Sequence, residues 1–157
     1  MKLLAVSALA AGLLLAAAAP LPAADAKDEA IKKDRMKYEG TWQVVSLVVD
    51  GDKSDEQDAR KITVVNEADG RWTLEVDGKV IARGTSEIDP TKKPKAIDLT
   101  ETEGDDKGKT ALGIYELGDD ERKVCYAKAG MERPADFSAP AGSGRILAVL
   151  KRVKKSD

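Results

Sequence analysis

The run Trp42-Gln43-Val44-Val45-Ser46-Leu47-Val48-Val49, closed by Asp50-Gly51, decides the fold of this chain. Branching at Cβ stiffens the valines and suits them to a pleated surface, while Asp-Gly supplies the backbone freedom of a tight turn, so the run is a strand. Downstream, runs of the same kind occupy residues 61–66, 71–76, 79–87, 95–101, 110–117, 122–129 and 145–153. The links between them carry turn chemistry: Ala68-Asp69-Gly70, Asp77-Gly78, Asp89-Pro90 with Pro94, Gly104-Asp105-Asp106, and Gly118-Asp119-Asp120. Links this short join antiparallel neighbours, because a parallel crossover needs a dozen or more residues.

Many short strands at regular spacing, without a long helical period between them, predict an all-β sandwich or barrel, and the count of about eight favours the barrel. Closure removes exposed strand edges and leaves an interior wide enough for packed side chains or one small ligand. In the last strand Ile146, Ala148 and Leu150 share one face, and Arg152 ends that same face, where a guanidinium needs a partner.

Upstream of the strands, residues 27–38 are charged with scattered apolar positions and predict one short helix. The chain opens with Met1-Lys2 and an apolar run from Leu3 to Ala19, which leads into Pro20, Pro22 and small residues. That pattern reads as a cleaved export signal over residues 1–26, with Ala24-Asp25-Ala26 as the small-x-small site, and predicts a secreted or periplasmic protein. The run is short for a membrane span of about 20 residues, so no stable membrane insertion is expected. Residues 27–157 then form a single domain, of a size that buries roughly two-thirds of its unfolded surface.

Two sets of residues carry a family resemblance. Gly40-Thr41-Trp42 entering the first strand, with Arg152 ending the last, resembles the closed end of lipocalin-type barrels, where a tryptophan packs beneath an arginine. More specific is the string of Asp89-Pro90, Pro94-Lys95-x-Ile97-Asp98, Gly113-Ile114-Tyr115-Glu116-Leu117, Val124-Cys125-Tyr126-Ala127, Glu132-Arg133-Pro134-Ala135-Asp136-Phe137 and Leu150-Lys151-Arg152. It resembles a large paralogous family of uncharacterised, mostly planctomycete, secreted lipocalin-like proteins. The resemblance implies an eight-stranded barrel-like fold and brings no activity with it.

Composition removes several functions. The 26 basic and 28 acidic residues leave a net charge of −2, so the strongly basic face of a nucleic-acid binder is not expected. With no histidine, neither Ser-His-Asp nor Cys-His catalysis nor the usual zinc sites can be built. The single cysteine, Cys125, excludes an intramolecular disulfide and reads as a buried small hydrophobe. Gly104-Asp105-Asp106-Lys107-Gly108-Lys109-Thr110 ends like a phosphate loop, but it is one residue short between its glycines and feeds a strand. Asp50-x-Asp52-x-Ser54 opens like a calcium loop, but Asp55 replaces the turn glycine and Lys61 the bidentate glutamate. No metal, no cofactor and no catalytic residue are expected.

What stays open is what the barrel holds. The first reading is a non-enzymatic binder of a small apolar or amphipathic ligand, oriented by Tyr115, Tyr126, Arg133 and Phe137, with Trp42 and Arg152 closing the barrel. The second is an interaction module with a solid core that presents its loops to an exported protein or the cell envelope. A third is an enzyme that works with carboxylates alone. Residues 129–144 form the longest loop, and Phe137 within it is either a plug at one barrel end or part of a gate. Parity along residues 110–117 sets Tyr115 and Ile114 on opposite faces without saying which looks inward.

Overall fold

The computed structural model describes residues 22–154. The expected export signal falls on residues 1–21, outside the described residues, and on residues 22–26, which open a helix. That helix, α1 (Ala23–Tyr38), precedes β1 (Gly40–Val49), β2 (Asp52–Lys53) and a one-turn helix α2 (Glu56–Ala59). There follow β3 (Ile62–Asn66), β4 (Arg71–Val76), β5 (Lys79–Asp89), β6 (Lys95–Glu103), β7 (Thr110–Leu117), β8 (Glu121–Ala127) and β9 (Arg145–Arg152). The short pair β2 and α2 lies where the sequence reads as a loop.

The sheet is antiparallel throughout and runs β1-β3-β4-β5-β6-β7-β8-β9, with β9 pairing back onto β1. Eight strands therefore close a barrel, and β2 is a short appendage on the end of β1. This is the all-β barrel that the strand pattern predicts, lipocalin-like in architecture and preceded by a short helix that starts four residues before the charged stretch 27–38. Among the described residues no helix is long and apolar enough to cross a membrane.

A bulge in β1 sorts its apolar run. Trp42 pairs with Arg152 and Val44 with Leu150, but the next partners are Ser46 with Val149 and Leu47 with Ala148, so Val45 is the extra residue. Trp42, Val44, Leu47 and Val49 consequently lie on the inner face; without the bulge, Ser46 and Val48 would take the inner places. Two more bulges, at Leu74/Glu75 and Arg83/Gly84, bend the opposite wall.

α1 packs against β5 and β7 at the end of the barrel where β1, β4, β6 and β8 begin and β3, β5, β7 and β9 end. Asp25 lies in the first turn of α1 and Arg35 and Lys37 in its last, each complementing the helix dipole. The helix ends at Tyr38, and β1 opens at Gly40, whose φ of +121° favours glycine and whose missing side chain leaves room for Arg152: a Cβ there would lie 2.8 Å from the guanidinium Nη1. Tyr38 and Trp42 enter the core together, and the Trp42 indole donates to the Tyr38 carbonyl at 2.9 Å.

Candidate functional site

Along the inner wall, burial changes with depth. At the α1 end, Tyr38, Trp42, Tyr115, Arg122 and Leu150 are buried, Trp42 completely and Arg122 to 3% exposure. Val44, Ile97, Val124 and Ala148 form the next buried layer. Toward the other end, the inward positions Leu47, Val49, Leu74, Leu99, Ala111, Tyr126 and Ile146 are only half-buried. The closed end is packed solid, and the inner positions of the far half, apolar apart from Tyr126 and Glu101, are partly exposed.

The closed end is built from polar groups held by aromatic rings. Arg152 stacks 4.2 Å from the Trp42 ring centre and donates to the carbonyls of Lys37, Glu39 and Asp119. Arg122 lies 4.3 Å from the Tyr38 ring and 4.7 Å from the Trp42 ring, and its Nη1 donates to the Asn66 side-chain oxygen at 2.7 Å. Beside them Asp34 of α1 accepts, on one carboxylate oxygen, the Tyr115 hydroxyl and the Lys95 ammonium, each at 2.7 Å. Desolvation and the neighbouring Asp34 carboxylate drive the Tyr115 phenol far above its ordinary range. Arg35 ties the helix to the wall, donating to the Ser86 hydroxyl at 2.8 Å and to the Ser86 carbonyl.

A second feature lies outside the barrel. Residues 128–144 run over the outer face of β6, β7 and β8 and do not enter an end. Arg133 donates to the carbonyls of Ile97 and Gly113 and pairs with Asp98 at 2.6 Å. The Phe137 ring takes Lys123 at 5.3 Å, and the Cys125 thiol donates to the Ser138 carbonyl at 3.5 Å. Burial pushes that thiol up from its ordinary value. The segment returns beside the β1–β2 turn, where Asp50 accepts the Gly144 amide at 2.7 Å.

This covering answers the parity question. Tyr115 faces inward and Ile114 outward, yet both are about 1% exposed, because Ile114 lies beneath the outer segment, whose Pro134 is itself fully buried. Next to it is a cleft of about 470 Å³, lined by Lys27, Asp89, Lys92, Pro94, Ala96 and Arg133 among others. Its charges are largely matched, with Lys27 on Asp89 at 2.9 Å and Arg133 on Asp98. The Thr91 hydroxyl and Lys27 hold the Asp89 carboxyl down to about 2.

The four residues expected to orient a ligand thus occupy three places. Tyr115 is sealed in the closed end, Tyr126 lies on the inner wall of the far half, and Arg133 and Phe137 belong to the outer segment. Only Tyr126 stands on the inner wall of the far half, where it is half-buried, and burial pushes its phenol up to about 12. Phe137 neither plugs nor gates a barrel end.

Sequence reading passed over Arg122, Asn66 and Asp34. The signal for Arg122 was its parity with Val124 and Tyr126, two places and four places along β8, which sets a cation on an apolar face. Asp34 gave none, since a carboxylate in a charged helix reads as solvated.

A search of family models, of curated proteins and of solved structures finds no match to this chain.

Proposed function

We propose that this protein is a non-enzymatic binder of a small apolar or amphipathic molecule, which it takes into the far half of its barrel. The observation that carries this reading is the gradient of burial along the inner wall. Leu47, Val49, Leu74, Leu99 and Ile146 point inward from the strands and remain half-buried, whereas the layer around Trp42 is sealed. Apolar side chains left in contact with water inside a concave wall favour a solute that displaces that water, at about 25 cal/mol per Å² of apolar surface covered. The mechanism is passive: the far half of the barrel desolvates the ligand and the Tyr126 hydroxyl offers one polar contact.

The export signal fits a carrier or scavenger outside the cytoplasm. The exposed apolar side chains Met36, Val80, Ile81, Met131 and Val153 belong to four separate segments, which gives less support to a protein-docking face. Asp34 is the one buried carboxylate among the described residues, and Lys95 and Tyr115 engage it, which gives little support to paired-carboxylate catalysis.

Intact mass of the protein, purified from a host that exports it, tests the reading under non-denaturing and denaturing conditions. A small molecule seen in the first spectrum and lost from the second is the expected result and reports the cargo class. A bare mass in both, with no uptake from a lipid and metabolite extract, overturns it.

A further inference from the structure

The cleft on the outer wall carries a charge pattern that its own side chains do not complete. Three segments enclose it: the start of α1 at Lys27, the β5–β6 hairpin with Lys92, Lys93 and Pro94, and the outer segment at Arg133 and Pro134. The cross-strand pair Ala96 and Ile114, together with Pro134, gives it a buried apolar floor. Its volume of about 470 Å³ falls within the range of roughly 300–1,000 Å³ usual for small-molecule sites.

Strand register sets the charges. Glu87 of β5 stands opposite Asp98 of β6, and Asp89 follows two residues on, so three carboxylates share the outer face of one strand pair. Like charges in that arrangement repel and call for cations. Arg133 settles Asp98 at 2.6 Å and Lys27 settles Asp89 at 2.9 Å. Glu87 is exposed, and no side chain among the described residues bonds to it; Arg35 lies within range of its charge but is bonded to Ser86. At the hairpin end, Lys92 and Lys93 are exposed and meet no carboxylate among the described residues. The cleft therefore offers one anion at one end and two cations at the other, across an apolar floor.

We propose that this cleft is a second binding site, for a short peptide with free termini: its ammonium meets Glu87, its carboxylate meets Lys92 and Lys93, and an apolar side chain lies on Ala96 and Ile114. The site is separate from the barrel interior and does not depend on what the barrel holds. Glu87 and the hairpin lysines stand on either side of Asp89, so the two termini are set apart by more than one strand step of about 3.3 Å, the reach of a di- or tripeptide. The peptide ammonium supplies the third cation that the row of carboxylates lacks.

The test titrates the tripeptide Ala-Leu-Ala into ¹⁵N-labelled protein, beside its N-acetyl form, which keeps only the carboxylate, and its C-terminal amide, which keeps only the ammonium. The free peptide should move the amide resonances of Ala96 and Ile114 with a Kd of about 1 mM, and each cap should weaken binding about threefold, as expected for the loss of an exposed ion pair. Glu87→Gln should weaken the free peptide and its amide but not the N-acetyl form. Lys92→Gln combined with Lys93→Gln should weaken the free peptide and the N-acetyl form but not the amide. All three positions are exposed, so these variants keep the native fold. Equal affinities for the three peptides, or losses that do not follow the caps, overturn the assignment of the termini to these residues. Unmoved resonances around the cleft overturn the site itself, and either result leaves the intact-mass test of the barrel standing.

Discussion

Arg152 and Trp42 close the barrel as a stacked pair at 4.2 Å, one from the last strand and one from the first, and the same guanidinium collects three carbonyls from the end of α1 and the β7–β8 turn. One side chain thus joins the two ends of the described chain and the helix. Arg152→Ala should lower stability by about 2 to 3 kcal/mol, from the lost cation–π contact and the orphaned carbonyls, as read by denaturant unfolding. Arg152→Lys should recover less than half, since an ammonium cannot match a planar fork over a ring. A change below 0.5 kcal/mol, on the order of an ordinary surface substitution, would rule out this closure as a source of stability.

Asp34 holds Tyr115 and Lys95 on one oxygen, but the two partners differ in what they lose without it. Lys95 is about one-third exposed and can turn to water, whereas the Tyr115 hydroxyl is enclosed. Asp34→Ala should therefore cost about 2 kcal/mol, mostly from the stranded hydroxyl. Pairing it with Tyr115→Phe should return much of that loss, and strict additivity in the double-mutant cycle would show that the bond contributes nothing.

Gly84 lies under Trp72 on the inner wall. A Cβ there would stand 2.1 Å from the Thr100 carbonyl oxygen and 2.3 Å from the indole, and the backbone atom cannot yield. Gly84→Ala is expected to destabilise by about 3 kcal/mol or more, with Trp72 fluorescence shifted. Ile81→Thr, on the same strand but 52% exposed, should stay within about 0.5 kcal/mol.

Alkaline pH should unfold the protein. The phenols of Tyr115 and Tyr126 are raised above their ordinary 10.0 by burial, Tyr126 to about 12 and Tyr115 further. The unfolded chain therefore releases these protons first, so their contribution is complete below pH 10 and falls as pH rises through 12. Phenolate absorbance should show delayed titration of both in the folded state and ordinary titration in denaturant. A flat stability profile from pH 9 to 12 would contradict the burial of the two phenols.

Cys125 is covered by the segment that carries Ser138. Its thiol should resist a disulfide reagent in the folded state and react fully in denaturant. Removing the Arg133–Asp98 pair with Arg133→Ala should loosen that cover and raise the folded-state reaction rate. Labelling at equal rates in native protein and variant would mean that Arg133 does not hold the segment down.

Strand number, antiparallel order and the helix before the first strand were legible from residues alone, because alternation and turn chemistry act over a few neighbours. Asp50-Gly51 and Asp77-Gly78 mark reversals whatever surrounds them, and the parity of Ile146, Ala148 and Leu150 set the core face of β9. Facing and depth were not legible. Ile114 and Tyr115 are both buried although they point opposite ways, because residues 128–144 fold back over an outer wall that parity alone leaves wet. The bulge at Val45 chose which half of a valine-rich run looks inward, a matter of β1 pairing with β9 a hundred residues away. Tyr115, Tyr126, Arg133 and Phe137 share aromatic or cationic chemistry in the sequence, yet the closed sheet sends them to the sealed end, the far half of the inner wall and the outer wall. Arg122 reads as the polar start of a strand until barrel closure carries it across to Asn66, between two aromatic rings. Local chemistry set the elements of this protein; only the long-range register, which no short window of sequence contains, decided which side chains meet inside it.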